Sequence, residues 1–178
     1  MNPIKKILKK VRQVGLIKTC RIMFSLVFDI HFDAKYNIDT VSWVSLNELD
    51  VEDDQKKHAV LYQGSRVLPL RNLFKELKIP NDKVFVYIGC GKGRVLIVAA
   101  AFGFKKVQGI EFSPKLCAIA EKNISKYRTK TKSSTHFEII NLDAALHHFN
   151  DDEHIFFLFN PFDDHILKKV LQNITDSI

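Results

Sequence analysis

The tightest constraint on this chain is the segment from Val84 to Glu111, which holds five glycines (89, 91, 93, 103 and 109) of the seven in the whole sequence. Val84–Ile88 is a short β-rich apolar run, long enough for one buried strand. Gly89-Cys90-Gly91-Lys92-Gly93 follows at once, and 95–102 then reads as a buried helix stopped by Gly103. A second strand runs from Lys105 to Ile110 and ends at Glu111. Ser113 suits a helix N-cap and Pro114 the first helical position, with Leu116, Ile119, Ala120 and Ile124 continuing at helical spacing to about Tyr127. Strand, glycine turn, helix, strand is a βαβ unit, so the chain is an α/β protein with a mainly parallel sheet flanked by helices.

The glycines allow a tight turn with positive φ and leave backbone bare for a ligand, toward which the amides of the next helix start would point. An acid closing the second strand is well placed to accept both hydroxyls of a ribose. The dinucleotide fingerprint is G-x-G-x-x-G, whereas this turn reads G-x-G-x-G-R, so a nicotinamide-dependent oxidoreductase is disfavoured. The phosphate-loop pattern G-x-x-x-x-G-K-[ST] is absent.

Two more strands are expected at 136–140 and 154–159, followed by a helix from near Asp163 or Asp164 that carries Ile166, Leu167, Val170 and Leu171. Upstream, residues 65–79 read as an amphipathic helix with Ser65 as its cap and Pro69 in its first turn. The expected organisation is a basic amphipathic helical segment over 1–30, a connector over 31–64 that includes the acidic cluster Glu48–Asp54, and a ligand-binding α/β domain over 65–178. The net charge of +7 is local: residues 1–21 hold seven basic side chains and no acid, and the remainder balances. Such a segment is either a solvated face packed on the domain or a surface for an anionic membrane or nucleic acid. Its apolar run Ile22–Phe28 is too short to span a bilayer. Three dispersed cysteines argue for a reducing, cytoplasmic setting, and the seven histidines show no three-ligand spacing, so no metal is expected.

Ile88-Gly89-Cys90-Gly91-Lys92-Gly93-Arg94, with Glu111 ending the next strand, resembles the class I S-adenosylmethionine-dependent methyltransferases over about residues 60–175. The resemblance implies a Rossmann-like sheet and S-adenosyl-L-methionine as cofactor. It assigns cofactor contacts to Tyr62, Gln63, Tyr87, Gly89, Cys90, Gly91, Gly93, Phe112, Ala144 and Asn160, the ribose to Glu111 and the adenine amino group to Asp143. Where the family carries an acid two residues before the first glycine, this chain has Tyr87. Asn160-Pro161-Phe162 resembles the turn that holds the target amine in nitrogen-modifying relatives, with one proline of that motif missing. The plain alternative is a turn that simply ends a strand. The family sheet has seven strands and four are expected here, so the chain reads as shortened at its C-terminus, with the 154–159 strand left as an apolar edge for a partner or further segment to cover. The expected function is methyl transfer to an unidentified acceptor, the alternative a non-catalytic binding module.

Overall fold

The computed structural model describes residues 9, 11–42, 44 and 64–177. Tyr62, Gln63, the Glu48–Asp54 cluster and most of residues 1–10 lie outside the described residues. In chain order the elements are α1 (Leu16–Tyr36), α2 (Val67–Leu77), β1 (Val84–Ile88), α3 (Arg94–Ala101), β2 (Lys106–Glu111), α4 (Pro114–Thr131) and β3 (His136–Asn141). A short 3-10 turn (Ala144–Leu146), β4 (Glu153–Leu158) and α5 (Asp164–Asp176) complete them. The four strands form one parallel sheet in the order β3-β2-β1-β4.

β1 is buried over all five residues because both faces of the sheet are covered. Its alternation sends Phe85 and Tyr87 into a core shared with the helices α1 to α4. Val84, Val86 and Ile88 face a second core closed by Val170 of α5, Phe149 and Ala144. β4 obeys the same alternation, Ile155 and Phe157 toward the first core and Phe156 and Leu158 toward the second. At the sheet edge, however, it stays half-buried, and Phe159 just beyond it is exposed.

Local capping follows the sequence at two helices. Ser113 Oγ accepts from the Leu116 N–H at 3.3 Å, with Pro114 at the first position of α4, and Asp163 Oδ1 accepts from the His165 and Ile166 N–H groups at the start of α5. At α2 the expectation is corrected. Arg66, not Ser65, is the cap residue and gives no side-chain cap. Instead Asp29, on α1, accepts from the Val67 N–H at 2.9 Å, a carboxylate placed on the positive end of a helix dipole from outside that helix.

The boundary between leader and connector also moves. α1 runs on to Tyr36 and closes with Asn37 in the left-handed conformation at φ 56°. Asp33 then accepts from Thr40 N–H, Thr40 Oγ1 and Val41 N–H, which orders residues 38–42 into a strap instead of an irregular connector. The reason is polar. The inward face of α1 carries Thr19, Ser25, Asp29 and Asp33, with Asp29 held by α2 and α3 and Asp33 by the strap.

Candidate functional site

Among the described residues, the glycine turn, Glu111, Asp143 and Asn160 all lie at or just after the carboxyl ends of strands, where open α/β sheets bind ligands. The chain leaving β1 turns through three glycines with positive φ: Gly89 at 74°, Gly91 at 52° and Gly93 at 80°. Gly89 and Cys90 both donate to the Ile110 carbonyl, at 2.9 and 3.0 Å, which lays the turn across the end of β2. Gly109 makes that crossing possible, since a Cβ there would lie 2.7 Å from Cys90 Sγ and from Leu96 Cδ1.

Glu111 is the electrostatic centre of the arrangement. Its side chain is buried, with Oε2 accepting from the Gly91 N–H at 2.9 Å and Oε1 from the Ser113 N–H at 3.0 Å. Burial pushes its carboxyl above the ordinary range, and these N–H groups work in the opposite direction. Among the described residues no Lys or Arg forms an ion pair with it. The Phe112 N–H acts on the carboxylate beside the Gly91 and Ser113 donors, and since a carboxylate offers about four acceptor positions, capacity remains for a ligand hydroxyl such as that of a ribose. Asn141 braces the strand end by donating to the carbonyls of Glu111 and Phe112.

Two of the three turn glycines have a packing duty that sequence reasoning missed. A Cβ on Gly89 would sit 2.4 Å from Pro161 Cβ, and one on Gly93 would sit 3.2 Å from Ala120 Cβ in α4. Nothing local signals either contact, because the partners are brought in by β4 and α4. Gly89→Ala combines left-handed strain with overpacking, so it is expected to destabilise the fold by about 2–4 kcal/mol in denaturant unfolding.

The other candidate residues separate into those around the turn and those committed to the core. Asp143 is partly exposed and caps the 3-10 turn through the Ala145 N–H at 2.9 Å, with Ala144 buried beneath. Phe112 is half-buried beside Val44 and Leu116. Asn160 is exposed and held at φ 47°, a conformation uncommon for a residue other than glycine and one that marks sites worth a functional test. Phe162 is half-buried and packs against the second core, where it buttresses the Asn160-Pro161 turn. Tyr87 is also core: its ring lies 5.3 Å from Phe157, and burial drives its hydroxyl far above the usual phenol range. Cys90 is buried, and burial pushes its thiol well up.

Lys92 and Arg94, the two cations of the turn, face inward. Lys92 Nζ donates to the Ser42 carbonyl at 2.9 Å and to Ser42 Oγ, and pairs with Asp39 at 3.3 Å. Arg94 donates to Thr40 Oγ1 at 2.6 Å and the Ser65 carbonyl at 3.1 Å, and pairs with Asp29 at 3.4 Å. The strap after α1 is thus bolted to the glycine turn. Among the described residues no group of three or more His, Cys, Asp or Glu could hold a metal ion.

The solved structures that match share this architecture. The glycopeptide N-methyltransferase MtfA, solved with sinefungin, is 11% identical with a TM-score of 0.51, over 62% of this chain and 44% of that one. A protein of Methanococcus maripaludis assigned as an S-adenosyl-L-methionine-dependent methyltransferase is 18% identical, TM-score 0.51, over 61% and 48%. YjhP of E. coli is 17% identical, TM-score 0.50, over 61% and 43%. At these identities the likeness establishes the fold alone, a Rossmann-like sheet, and the chain spans less than half the length of each. No curated protein matches. The family described as "Histone methylation protein DOT1" matches residues 58–163, more than half of the chain and all of β1 to β4 with the glycine turn and Glu111, and the chain belongs to that family of S-adenosylmethionine-dependent methyltransferases.

Proposed function

We propose that this chain binds S-adenosyl-L-methionine at the glycine turn and transfers its methyl group to an amine nitrogen. The observation that carries the reading is the Glu111 carboxylate, buried beside the turn, joined to the Gly91 N–H and left without a cationic partner among the described residues. When bound, the cofactor supplies a sulfonium methyl group for in-line displacement. Glu111 accepts the two ribose hydroxyls, Asp143 accepts from the adenine amino group, and Phe112 and Ala144 offer apolar contact on either side. Asn160, displayed at the end of β4, directs its side-chain oxygen to the hydrogens of the acceptor amine, and the Pro161 carbonyl is the second acceptor. Alignment of that amine is most of the catalytic contribution asked of the protein. Histone methylation, the activity for which the family is described, favours an amine on a protein side chain.

Calorimetry with S-adenosylmethionine and S-adenosylhomocysteine, paired with labelled-methyl transfer to cell-extract components, tests the reading. Asn160→Ala is expected to cut transfer by about 100-fold, the scale of a misaligned acceptor, while changing cofactor affinity far less. Full transfer by this variant would remove Asn160 from the mechanism. Tyr87 favours a second reading, a binding module without turnover. A buried phenol in the core stands where the resemblance places an acid that orients the methionine end. Cofactor binding with no transfer to any acceptor would support that reading.

A further inference from the structure

The amphipathic character of α1 is inverted. Its inward face presents Thr19, Ser25, Asp29 and Asp33 to the domain along with Phe32. Its outward face presents Leu16, Ile17, Met23, Phe24, Val27 and Ile30, all exposed and most of them more than half so (Ile17 72%, Phe24 67%, Leu16 64%, Val27 63%). Positions 16, 23, 27 and 30, with 17 and 24 one seven-residue step apart, fall on one continuous side of a helix. A contiguous apolar patch of this kind on a single chain marks an interaction surface.

Charge decides what the surface fits. The only acids in α1 are Asp29 and Asp33, and both are buried and hydrogen-bonded within the domain. The exposed charges of α1 are therefore all positive: Lys18, Arg21 and Lys35, joined by exposed Lys9 and Arg12 just before the helix. The sequence holds no acid before Asp29. An apolar band on a segment whose exposed charges are all cationic matches an anionic lipid surface, into which the band sinks while cations at its border such as Arg21 meet headgroup phosphates. A second copy of the chain would bring like charges together with no exposed carboxylate on either helix to pair them. A nucleic acid would engage the cations and leave the apolar band in water. No helix among the described residues is long and apolar enough to cross a membrane, so this geometry is one of lying on the surface. We infer that α1 docks the chain on anionic membranes through its Leu16–Ile30 face.

The experiment is co-sedimentation of the full chain with vesicles of phosphatidylcholine alone and of phosphatidylcholine mixed with phosphatidylserine. Binding to the anionic vesicles is expected to exceed binding to the neutral ones by at least about tenfold and to weaken with added NaCl. The double substitution Phe24→Ser with Val27→Ser is expected to weaken it by about tenfold or more, since both side chains supply buried apolar area on the membrane. Both side chains are exposed, so the melting temperature should not fall. Lys18→Gln with Arg21→Gln, which leaves the apolar band intact, is expected to lower affinity by about fivefold per charge. Absence of binding to anionic vesicles, or binding indifferent to the serine pair, would overturn the inference. So would a concentration-dependent dimer that the serine pair dissolves, which would assign the face to a second copy. Salt-sensitive binding to RNA without vesicle binding would overturn it equally, in favour of nucleic acid.

Discussion

Asp29→Ala is expected to destabilise the protein by about 3–5 kcal/mol, the scale for stripping one partner from a buried ion pair. Against a total stability of roughly 5–15 kcal/mol for a domain, this approaches unfolding. Asp29 is 1% exposed and serves three groups: the Val67 N–H at 2.9 Å, Arg66 at 2.9 Å and Arg94 at 3.4 Å. The Arg66 pair is a third exposed on its cationic side and contributes little by itself. Arg94 decides the outcome. It is 4% exposed, and without Asp29 its charge keeps, among the described residues, only the neutral acceptors Thr40 Oγ1 and the Ser65 carbonyl. Asp29→Asn retains an acceptor for the Val67 N–H and is expected to recover part of the loss. Urea unfolding of the three proteins checks the order, and equal stability of the alanine variant and the parent would refute the account. Because Arg94 opens α3 directly after the glycine turn, the same substitution is also expected to loosen the site.

Glu111→Ala is expected to weaken S-adenosylhomocysteine binding by about 100-fold or more, since hydrogen bonds from two hydroxyls to a charged acceptor contribute about 1.5–3 kcal/mol each. Calorimetry measures this directly. The companion Glu111→Gln isolates the charge through its effect on stability with pH. Burial raises the folded-state carboxyl above its ordinary value of 4.5. The stabilising contribution of a carboxyl so shifted is fully present below the unfolded value and is lost as pH rises through the folded one, because the folded state there holds the proton more tightly. The parent should therefore lose melting temperature relative to Glu111→Gln as pH climbs from that value toward neutrality. The opposite slope would mean that the Gly91 and Ser113 N–H groups outweigh burial.

The exposed apolar face of α1 illustrates how a helical segment can leave open which of its sides packs inward. Helical spacing of apolar residues is visible in the first thirty positions, and ordinary packing rules would turn that apolar side inward. The structure turns the apolar side of Leu16–Ile30 outward, because Asp29 and Asp33 find their donors on α2, α3 and the strap. A buried charge that is well paired fixes the rotation of a helix more strictly than a few exposed apolar side chains, each worth about 1.5–3 kcal/mol of burial.

By itself the amino-acid order determined everything carried by neighbours: four strands within a residue or so of their observed ends, the glycine turn, the Ser113-Pro114 helix start and the acid that closes β2. These signals are local, set by turn geometry, capping and side-chain period. Tertiary structure alone decided which glycines serve packing, with Pro161 against Gly89 and Ala120 against Gly93. It also decided that Tyr87 and Phe162 belong to the cores, that Lys92 is spent on the strap, and that Asp29 caps a helix 38 residues away. The physical reason is that a buried polar group takes whichever partner the fold delivers, and no periodicity along the chain records who that partner is.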